Sequence, residues 1–361
     1  MPRTHGMKCL LSATVWLLLA VPAAADDGVQ ADETVIFFPT CAHYDEAAEV
    51  WEAPIHGWLF KPEEKSLARR FALGTLRRAL GLEPTPEEEP VFHLRGWPFV
   101  VDSAADRQIA IRLGSRYAIL DPTEDNGHCS GVVRLPAAEA SRLKRGRWIR
   151  YQAVADDERR VLAGAIELTP PEGISVVSDV DDTIKITGVG NHRVVLQNTF
   201  LRPLEPVPGM PELYRRWAAA GAVFHYVTAS PWQLYTPLDE FRAAVGFPAG
   251  SFEMQLFRFK DRTALNLLSD PDELKRPDIE TLLGTWPRRQ FVCVGDSGQR
   301  DPEMYGALAR KHPEQIVRVF IRNVTGASPD DERFQRAFAG VPAERWRVFD
   351  DPAELEDGLP R

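Results

Sequence analysis

The sequence predicts an α/β protein in two parts: a β-rich N-terminal domain and a C-terminal domain built on a parallel sheet. Up to about Pro171 the apolar runs are short and separated by turn residues, a pattern typical of a small β-sandwich or barrel. Beyond it, strand-like runs alternate with helix-like segments, which indicates βαβ units in a parallel sheet. A length of 361 residues accommodates both parts. We place the two domains at residues 26–172 and 173–361.

The first 25 residues have the pattern of a signal peptide. A basic start is followed by an apolar stretch from Cys9 to Val21, and the small residues Ala23-Ala24-Ala25 stand directly before Asp26. The apolar stretch is nearly long enough for an uncleaved membrane anchor. The small residues followed at once by acids favour cleavage instead. We therefore expect an exported protein that is periplasmic or secreted.

Five strands and one helix are predicted in the N-terminal domain. The strands are short β-branched or aromatic runs at Val35–Phe38, Ile55–Phe60, Gln108–Leu113, Trp148–Tyr151 and Val161–Ile166. The helix spans roughly Glu64–Leu82 and is followed by an acidic loop. It combines basic and apolar residues, namely Arg69, Arg70, Arg77 and Arg78 beside Leu67, Phe71, Leu73, Leu76 and Leu80. Such a helix suits an anionic membrane surface or, more commonly, packs its apolar stripe on its own domain.

Three cysteines follow the predicted signal peptide. Cys293 lies in an apolar run and is expected to be a buried, inert thiol. Cys41 and Cys129 both belong to the N-terminal domain and could pair in an oxidising compartment. The sequence does not establish that these two are close in space.

The C-terminal domain has the strand and helix alternation of a doubly wound sheet. Predicted strands are Ile174–Ser178, Ala222–Val227, Gln290–Val294 and Ile316–Ile321. Helices are predicted at Met210–Ala220, Pro237–Val245 and near Asp278–Gly284. The stretch Ile186–Val207 is short and indicates a small flap, so we expect no large cap over the sheet.

Polar side chains follow three of these strands at the points where the strands end. The first strand leads into Asp179-Val180-Asp181-Asp182-Thr183. The second ends at Thr228, and the third ends at Asp296, with Asp301 shortly after it. Lys275 precedes the helix between the second and third strands. Since ligands bind at the carboxyl ends of the strands in such sheets, these groups are expected to share one crevice.

This set of groups suits phosphoryl transfer. Asp179 can attack phosphorus as a nucleophile, and Asp181 can act as general acid and then general base. Asp179 and Asp296 offer the oxygen ligands that Mg²⁺ prefers. Thr228 and Lys275 can donate to phosphate oxygens. Taken singly, Asp182 suits a turn or a helix cap, Lys275 a solvated surface and Asp301 a helix cap.

The motifs resemble those of the haloacid dehalogenase superfamily, and more closely those of the App1-type phosphatidate phosphatase family. The similarity rests on residues 179–185, 229–234, 295–303 and 321–324, within a region of about residues 173–357. It implies a Rossmann-like parallel sheet and a Mg²⁺-dependent phosphatase that converts phosphatidate to diacylglycerol and phosphate. The implied roles are nucleophile for Asp179 and acid/base for Asp181. Phosphate would be bound by Thr183, Thr228 and Lys275, and magnesium by Asp179, Asp181 (through its carbonyl) and Asp296, with Asp301 in support.

Composition and residue distribution argue against some classes of function. A net charge of −9 without a Lys/Arg-rich run argues against nucleic-acid binding, and scattered histidines do not indicate zinc. The leading partner is a lipid phosphate, with peripheral membrane contact left open. One alternative is an exported phosphomonoesterase for a non-lipid substrate. Another is an inactive protein that binds a membrane or a partner. The sequence does not indicate an oligomeric state.

Overall fold

The computed structural model describes residues 28–256 and 271–360, apart from Glu64 and Glu158. The predicted signal peptide lies outside the described residues. The strands are β1 (Thr34–Phe38), β2 (Thr40–Asp45), β3 (Val50–Lys61), β4 (Asp102–Ser103), β5 (Ala110–Leu113), β6 (Arg116–Ile119), β7 (His128–Pro136), β8 (Trp148–Ala153), β9 (Ala163–Leu168), β10 (Ile174–Ser178), β11 (Val223–Pro231), β12 (Ser251–Gln255), β13 (Gln290–Asp296), β14 (Ile316–Arg322) and β15 (Trp346–Phe349). The α-helices are α1 (Leu67–Ala79), α2 (Glu89–Gly96), α3 (Ala137–Leu143), α4 (His192–Phe200), α5 (Met210–Ala219), α6 (Tyr235–Val245), α7 (Pro271–Thr285), α8 (Asp301–Lys311) and α9 (Glu332–Ala337).

The N-terminal strands form a nine-stranded mixed sheet. Its main order is β1-β3-β2-β9-β8-β5-β6, and β4 and β7 also pair with β3. The long strand β3 pairs with β7 over its first nine residues, from Val50 opposite Pro136 to Trp58 opposite His128. All five predicted strands are present, whereas β2, β4, β6, β7, α2 and α3 were not predicted. The sheet buries a compact apolar cluster that includes Ile55, Leu59 and Ile111.

The C-terminal strands form a six-stranded sheet with the order β12-β11-β10-β13-β14-β15. Every pairing in it is parallel, as the alternation of strands and helices predicts. Alternate residues of β10 face opposite sides: Val176 packs with α4, α5 and α6, and Val177 packs with α7, α8 and α9. Because β10 lies between β11 and β13, the three strands that carry the candidate residues are neighbours.

The two sheets share one apolar cluster. Phe38 of β1 and Trp58 of β3 belong to the same buried group as Val176 and Trp232. The ring centroids of Phe38 and Trp232 are 4.1 Å apart. The N-terminal sheet therefore packs directly on the segment that follows Thr228 and Ser230.

The three described cysteines are free and buried. Cys41 packs in the cluster around Val177, with its sulfur 3.8 Å from Nδ1 of His225. Cys129 belongs to the separate cluster inside the N-terminal sheet. The pairing of Cys41 with Cys129 that the sequence left open is therefore absent. Among the described helices, none has the length and apolar character needed to cross a membrane.

A contact between a buried carboxyl group and an arginine links the two sheets and makes stability depend on pH. Glu167 of β9 is fully buried, with Oε1 2.9 Å from Nε of Arg147. The Arg147 guanidinium also donates to the carbonyls of Gly221 and Ala222, directly before β11. Burial raises the pKa of Glu167 to about 7, although Arg147 and Arg289 oppose that rise.

We expect Glu167→Gln to flatten the pH dependence of stability. The folded state holds a proton on Glu167 that the unfolded chain loses near pH 4.5. This stability is therefore complete below the unfolded pKa and is lost as pH rises through the folded one, by about 3 kcal/mol. Urea unfolding of wild type and variant between about pH 4.5 and pH 8 measures the difference. Glu172→Gln, at a side chain 73% exposed, is the control. Parallel stability curves for wild type and Glu167→Gln would contradict the assignment.

Candidate active site

The carboxyl ends of β10, β11 and β13 bring the candidate residues together. Asp179 directly follows β10, Thr228 lies in the second half of β11, and Asp296 is the last residue of β13. Carboxylate oxygens of Asp179, Asp296 and Asp301 all lie within 4.8 Å of one another. All three side chains are buried. The predicted convergence on one crevice is therefore present in the structure.

Lys275 of α7 lies inside this acidic cluster rather than on the surface. Its side chain is 1% exposed. Its Nζ is 2.7 Å from Oδ1 of Asp179 and 3.0 Å from Oδ1 of Asp301, and it also donates to Oε1 of Gln299 at 3.3 Å. The ammonium offsets part of the negative charge that these carboxylates would otherwise bury unpaired.

Asp301 organises the site through both of its oxygens. Oδ1 accepts from Lys275, and Oδ2 accepts the backbone N–H of Asp296 at 3.1 Å. Gly295 lies directly against this carboxylate, where a Cβ atom would collide with Oδ2. A glycine is thus required next to Asp296. Asp301 is the first residue of α8 and Arg300 is its N-cap, so the interpretation of Asp301 as a helix cap is wrong.

Asp181 is the most accessible of the four acids, with 14% of its side chain exposed. Its Oδ1 pairs with Nζ of Lys185 at 2.7 Å and accepts from the Thr187 hydroxyl at 2.9 Å. Its Oδ2 accepts from the hydroxyls of Thr228 at 3.2 Å and Ser230 at 3.3 Å. Thr228, which is fully buried, therefore lies beside the proposed acid/base.

Thr183 contacts the proposed nucleophile. Its hydroxyl donates to Oδ2 of Asp179 at 2.9 Å and is fully buried. Its predicted contact with phosphate stays a prediction, and in this structure the hydroxyl orients the Asp179 carboxylate. With Lys275 on the other oxygen, both oxygens of Asp179 are held in place.

Asp182 builds the turn that carries these residues. Its backbone is left-handed, with φ of 54°, and its carboxylate accepts the backbone N–H groups of Thr187, Gly188 and Val189 at 2.6–3.0 Å. Arg322 of β14 donates to its carbonyl at 2.7 Å. Asp182 is thus a turn residue, one of the interpretations that the sequence favours for it.

The pKa values of Asp179 and Asp296 shift in the opposite direction to that of Asp181. Burial raises the pKa of Asp179, which Lys275 opposes and Asp301 reinforces. Burial also raises the pKa of Asp296. Burial acts in the same direction on Asp181, but Lys185 outweighs it and holds the pKa of that carboxyl at about 2. Asp181 is therefore ionised at neutral pH, whereas Asp179 and Asp296 retain protons more readily when no metal ion is bound.

The residues fit a divalent cation. Oδ1 of Asp296 accepts the N–H groups of Gly298 and Gln299, but its buried Oδ2 has no hydrogen-bond partner. A buried carboxylate oxygen with no donor is costly unless a cation pairs with it. Oxygen donors from Asp179 and Asp296 match the preference of Mg²⁺ and similar hard ions. The donor chemistry does not distinguish Mg²⁺ from its close relatives.

Sequence reasoning did not assign a role to Lys185, Thr187 or Ser230. Asp181 and Lys185 are four residues apart in the sequence, and this spacing is the one signal that could have indicated their ion pair. Thr187 and Ser230 reach Asp181 only because the Asp182 turn and the end of β11 bring them there. These three residues set the environment of the proposed acid/base.

The C-terminal part belongs to the class of parallel α/β proteins that carry an aspartate cluster and a lysine at the strand ends. Residues 174–323 match the family model described as the catalytic domain of phosphatidate phosphatase APP1. The resemblance to the App1-type family is confirmed for this part of the chain.

Two curated relatives match part of the chain. The chain is 32% identical to phosphatidate phosphatase APP1 of Saccharomyces cerevisiae over 164 residues, 44% of the chain. It is 34% identical to an uncharacterised protein of Schizosaccharomyces pombe over 155 residues, 42% of the chain. The matches span 27% and 25% of those proteins, so the chain covers about a quarter of the length of each.

One solved structure that is similar to this chain is D,D-heptose 1,7-bisphosphate phosphatase from Burkholderia thailandensis. It is 18% identical, and the match covers 52% of this chain and 99% of that chain. The TM-score is 0.26, so the likeness is too slight to bear on the fold or the site.

Proposed function

We propose that this protein is a divalent-metal-dependent phosphatase of the haloacid dehalogenase type, acting on phosphatidate or a related lipid phosphate. The observation that carries the proposal is the buried cluster of Asp179, Asp296 and Asp301 around Lys275, at the strand ends of a parallel sheet. The yeast relative named as a phosphatidate phosphatase supports the lipid substrate. Export through the predicted signal peptide and the division into domains at residues 26–172 and 173–361 are parts of the same proposal.

In the first half-reaction, an oxygen of Asp179 attacks phosphorus and forms an aspartyl phosphate as the ester P–O bond breaks. Asp181 donates its proton to the departing alcohol oxygen, giving diacylglycerol when the substrate is phosphatidate. The negative charge of a bound phosphate ester raises the pKa of Asp181 from the low value that Lys185 maintains. By lowering the pKa of Asp181, Lys185 therefore limits its protonation to the state with bound substrate.

In the second half-reaction, Asp181 accepts a proton from water, and the water oxygen attacks the aspartyl phosphate. The bond between phosphorus and the Asp179 oxygen breaks, which releases inorganic phosphate and restores the carboxylate. Lys275 and Thr228 would donate to phosphate oxygens. Asp179, the Asp181 carbonyl and Asp296 would hold Mg²⁺, which supplies charge neutralisation for the phosphate.

The proposal is tested by phosphate release from phosphatidate in mixed micelles and from soluble phosphomonoesters, with Mg²⁺ and with EDTA. We expect metal-dependent release that favours phosphatidate. Release from soluble esters alone would keep the mechanism and replace the lipid with another phosphomonoester. No release from either substrate by folded protein would overturn the enzyme assignment in favour of a binding protein.

Asp181→Asn should slow esters with poor leaving groups far more than those with good ones. An amide cannot protonate an alkoxide, so a lipid or alkyl phosphate should lose on the order of 10²–10⁴-fold in rate. An aryl phosphate with an acidic phenol needs little protonation and should lose much less in its first step. The measurement is single-turnover phosphate-ester cleavage across a leaving-group series. Equal losses for all esters would exclude the general-acid role.

A further inference from the structure

Helix α1 presents an exposed apolar and basic face. Leu67 is 79% exposed and Phe71, four residues later, is 73% exposed. Arg70 and Arg78 are exposed on the same side of the helix. The opposite side carries Leu73, Leu76 and Leu80, which are buried in the core. The helix thus satisfies the packing that the sequence predicts, while leaving a second apolar face open.

We propose that this α1 face, defined by Leu67, Arg70, Phe71 and Arg78, docks on an anionic lipid surface and holds the catalytic site at its substrate. The inference rests on the proposed lipid-phosphate function. Two large apolar side chains one turn apart can enter the boundary between headgroups and acyl chains. The adjacent arginines add attraction to anionic headgroups.

The arginines of α1 also differ between the two sides of the helix. Arg69 pairs with Glu63 and Asp102, and Arg77 pairs with Glu89. In the described part of the chain, Arg70 and Arg78 form no ion pair, and Arg78 only donates within its own helix. The helix itself contains no acidic residue. The positive charge left uncompensated therefore lies beside Leu67 and Phe71, complementary to an anionic membrane.

A short series of contacts connects this helix layer to the catalytic site. Helix α2 packs against α1, and Arg95 of α2 donates to the carbonyls of Asn198 and Thr199, at the end of α4. The Asn198 side chain in turn donates to the carbonyl of Thr187 at 3.0 Å. Thr187 binds Asp181. A docked α1 would therefore support the side of the site where Asp181 is accessible.

A second copy of the chain fits the same face less well. A symmetric dimer through this face would place its unpaired arginines close to those of the partner. Like charges at such a contact are unfavourable, whereas an anionic bilayer neutralises them. We therefore assign the face to a bilayer, and self-association becomes an outcome that the test must distinguish.

The test uses purified protein with phosphatidylcholine vesicles, with and without phosphatidylserine. The variants are Leu67→Gln/Phe71→Gln and Arg70→Gln/Arg78→Gln, with Val161→Gln as the control at a residue 70% exposed elsewhere. We expect the apolar variant to lose about tenfold or more in vesicle affinity by co-sedimentation. The arginine variant should lose its preference for phosphatidylserine. Hydrolysis of phosphatidate in vesicles should fall in parallel, with unchanged hydrolysis of a soluble phosphomonoester.

Wild-type vesicle binding by both variants would overturn the proposal. Dissociation of a dimer by the apolar variant, measured by light scattering, would assign the face to self-association instead. Failure of the proposed function is a separate result, since it appears as no phosphate release by the wild type from any ester. Vesicle binding is measured without turnover, so it reports on the α1 face in either case.

Discussion

Asp179→Asn should abolish turnover while leaving the protein folded. The amide cannot attack phosphorus, and loss of a nucleophile typically costs on the order of 10⁵–10⁶-fold in kcat. Asparagine keeps the shape of the side chain and an oxygen that can accept from Thr183, while Lys275 keeps Asp301 as its partner. The substitution also removes one of several buried like charges, so we expect the protein to remain folded.

The measurement is phosphate release in Mg²⁺ together with thermal unfolding. Asp330→Asn, at an exposed position, makes the same chemical change away from the site and should keep full activity. Turnover by Asp179→Asn at the wild-type rate would exclude the aspartyl-phosphate mechanism. An unfolded variant would contradict the expected stability instead, and trapping radiolabelled phosphate on wild-type protein would then test the nucleophile directly.

The position of the site could be predicted because its signals are local. Asp179 and Asp296 come directly after apolar strands, so the parallel sheet alone brings them together. The environment of Asp181 could not be predicted in the same way. It depends on Asp182 adopting a left-handed conformation, with φ of 54°, which directs Lys185 and Thr187 back toward Asp181. The residue sequence of a turn does not specify which side chains it will bring into contact.

The missed elements also have physical explanations. Helix α4 contains the β-branched pair Val194-Val195, which lowers helix propensity, and it forms in contact with α2 through tertiary packing. Strand β7 mixes Ser130 and Gly131 into its run, so its apolar alternation is weak. It is stabilised by its long pairing with β3. Local sequence patterns therefore failed to predict those helices and strands that are stabilised by contacts between distant segments of the chain.

Lys275→Met should lower both stability and activity by large amounts. The variant keeps the length of the side chain but removes the cation that contacts Asp179 and Asp301. Removing one partner of a buried ion pair costs about 3–5 kcal/mol, and losing a donor to the transferring phosphate costs about 10²–10³-fold in kcat. Lys311→Met is the matched control, because Lys311 makes a surface pair with Glu280 and its side chain is 60% exposed.

If Lys275→Met loses stability because the acidic cluster is no longer neutralised, protons or a divalent cation should restore that stability. Without Lys275, the already raised pKa values of Asp179 and Asp296 should rise further, since Lys275 opposes the rise in both. The folded state then binds protons that the unfolded chain does not, so the stability of the variant is greatest at low pH and is lost as pH rises through those pKa values. A divalent cation can replace the missing charge and should stabilise the variant at neutral pH. Urea unfolding at about pH 5 and pH 8, with Mg²⁺ and with EDTA, should show steeper dependence on both pH and metal than in wild type. If wild type and variant respond equally to acid and to Mg²⁺, Lys275 does not neutralise the acidic cluster and its role in the site is mainly steric.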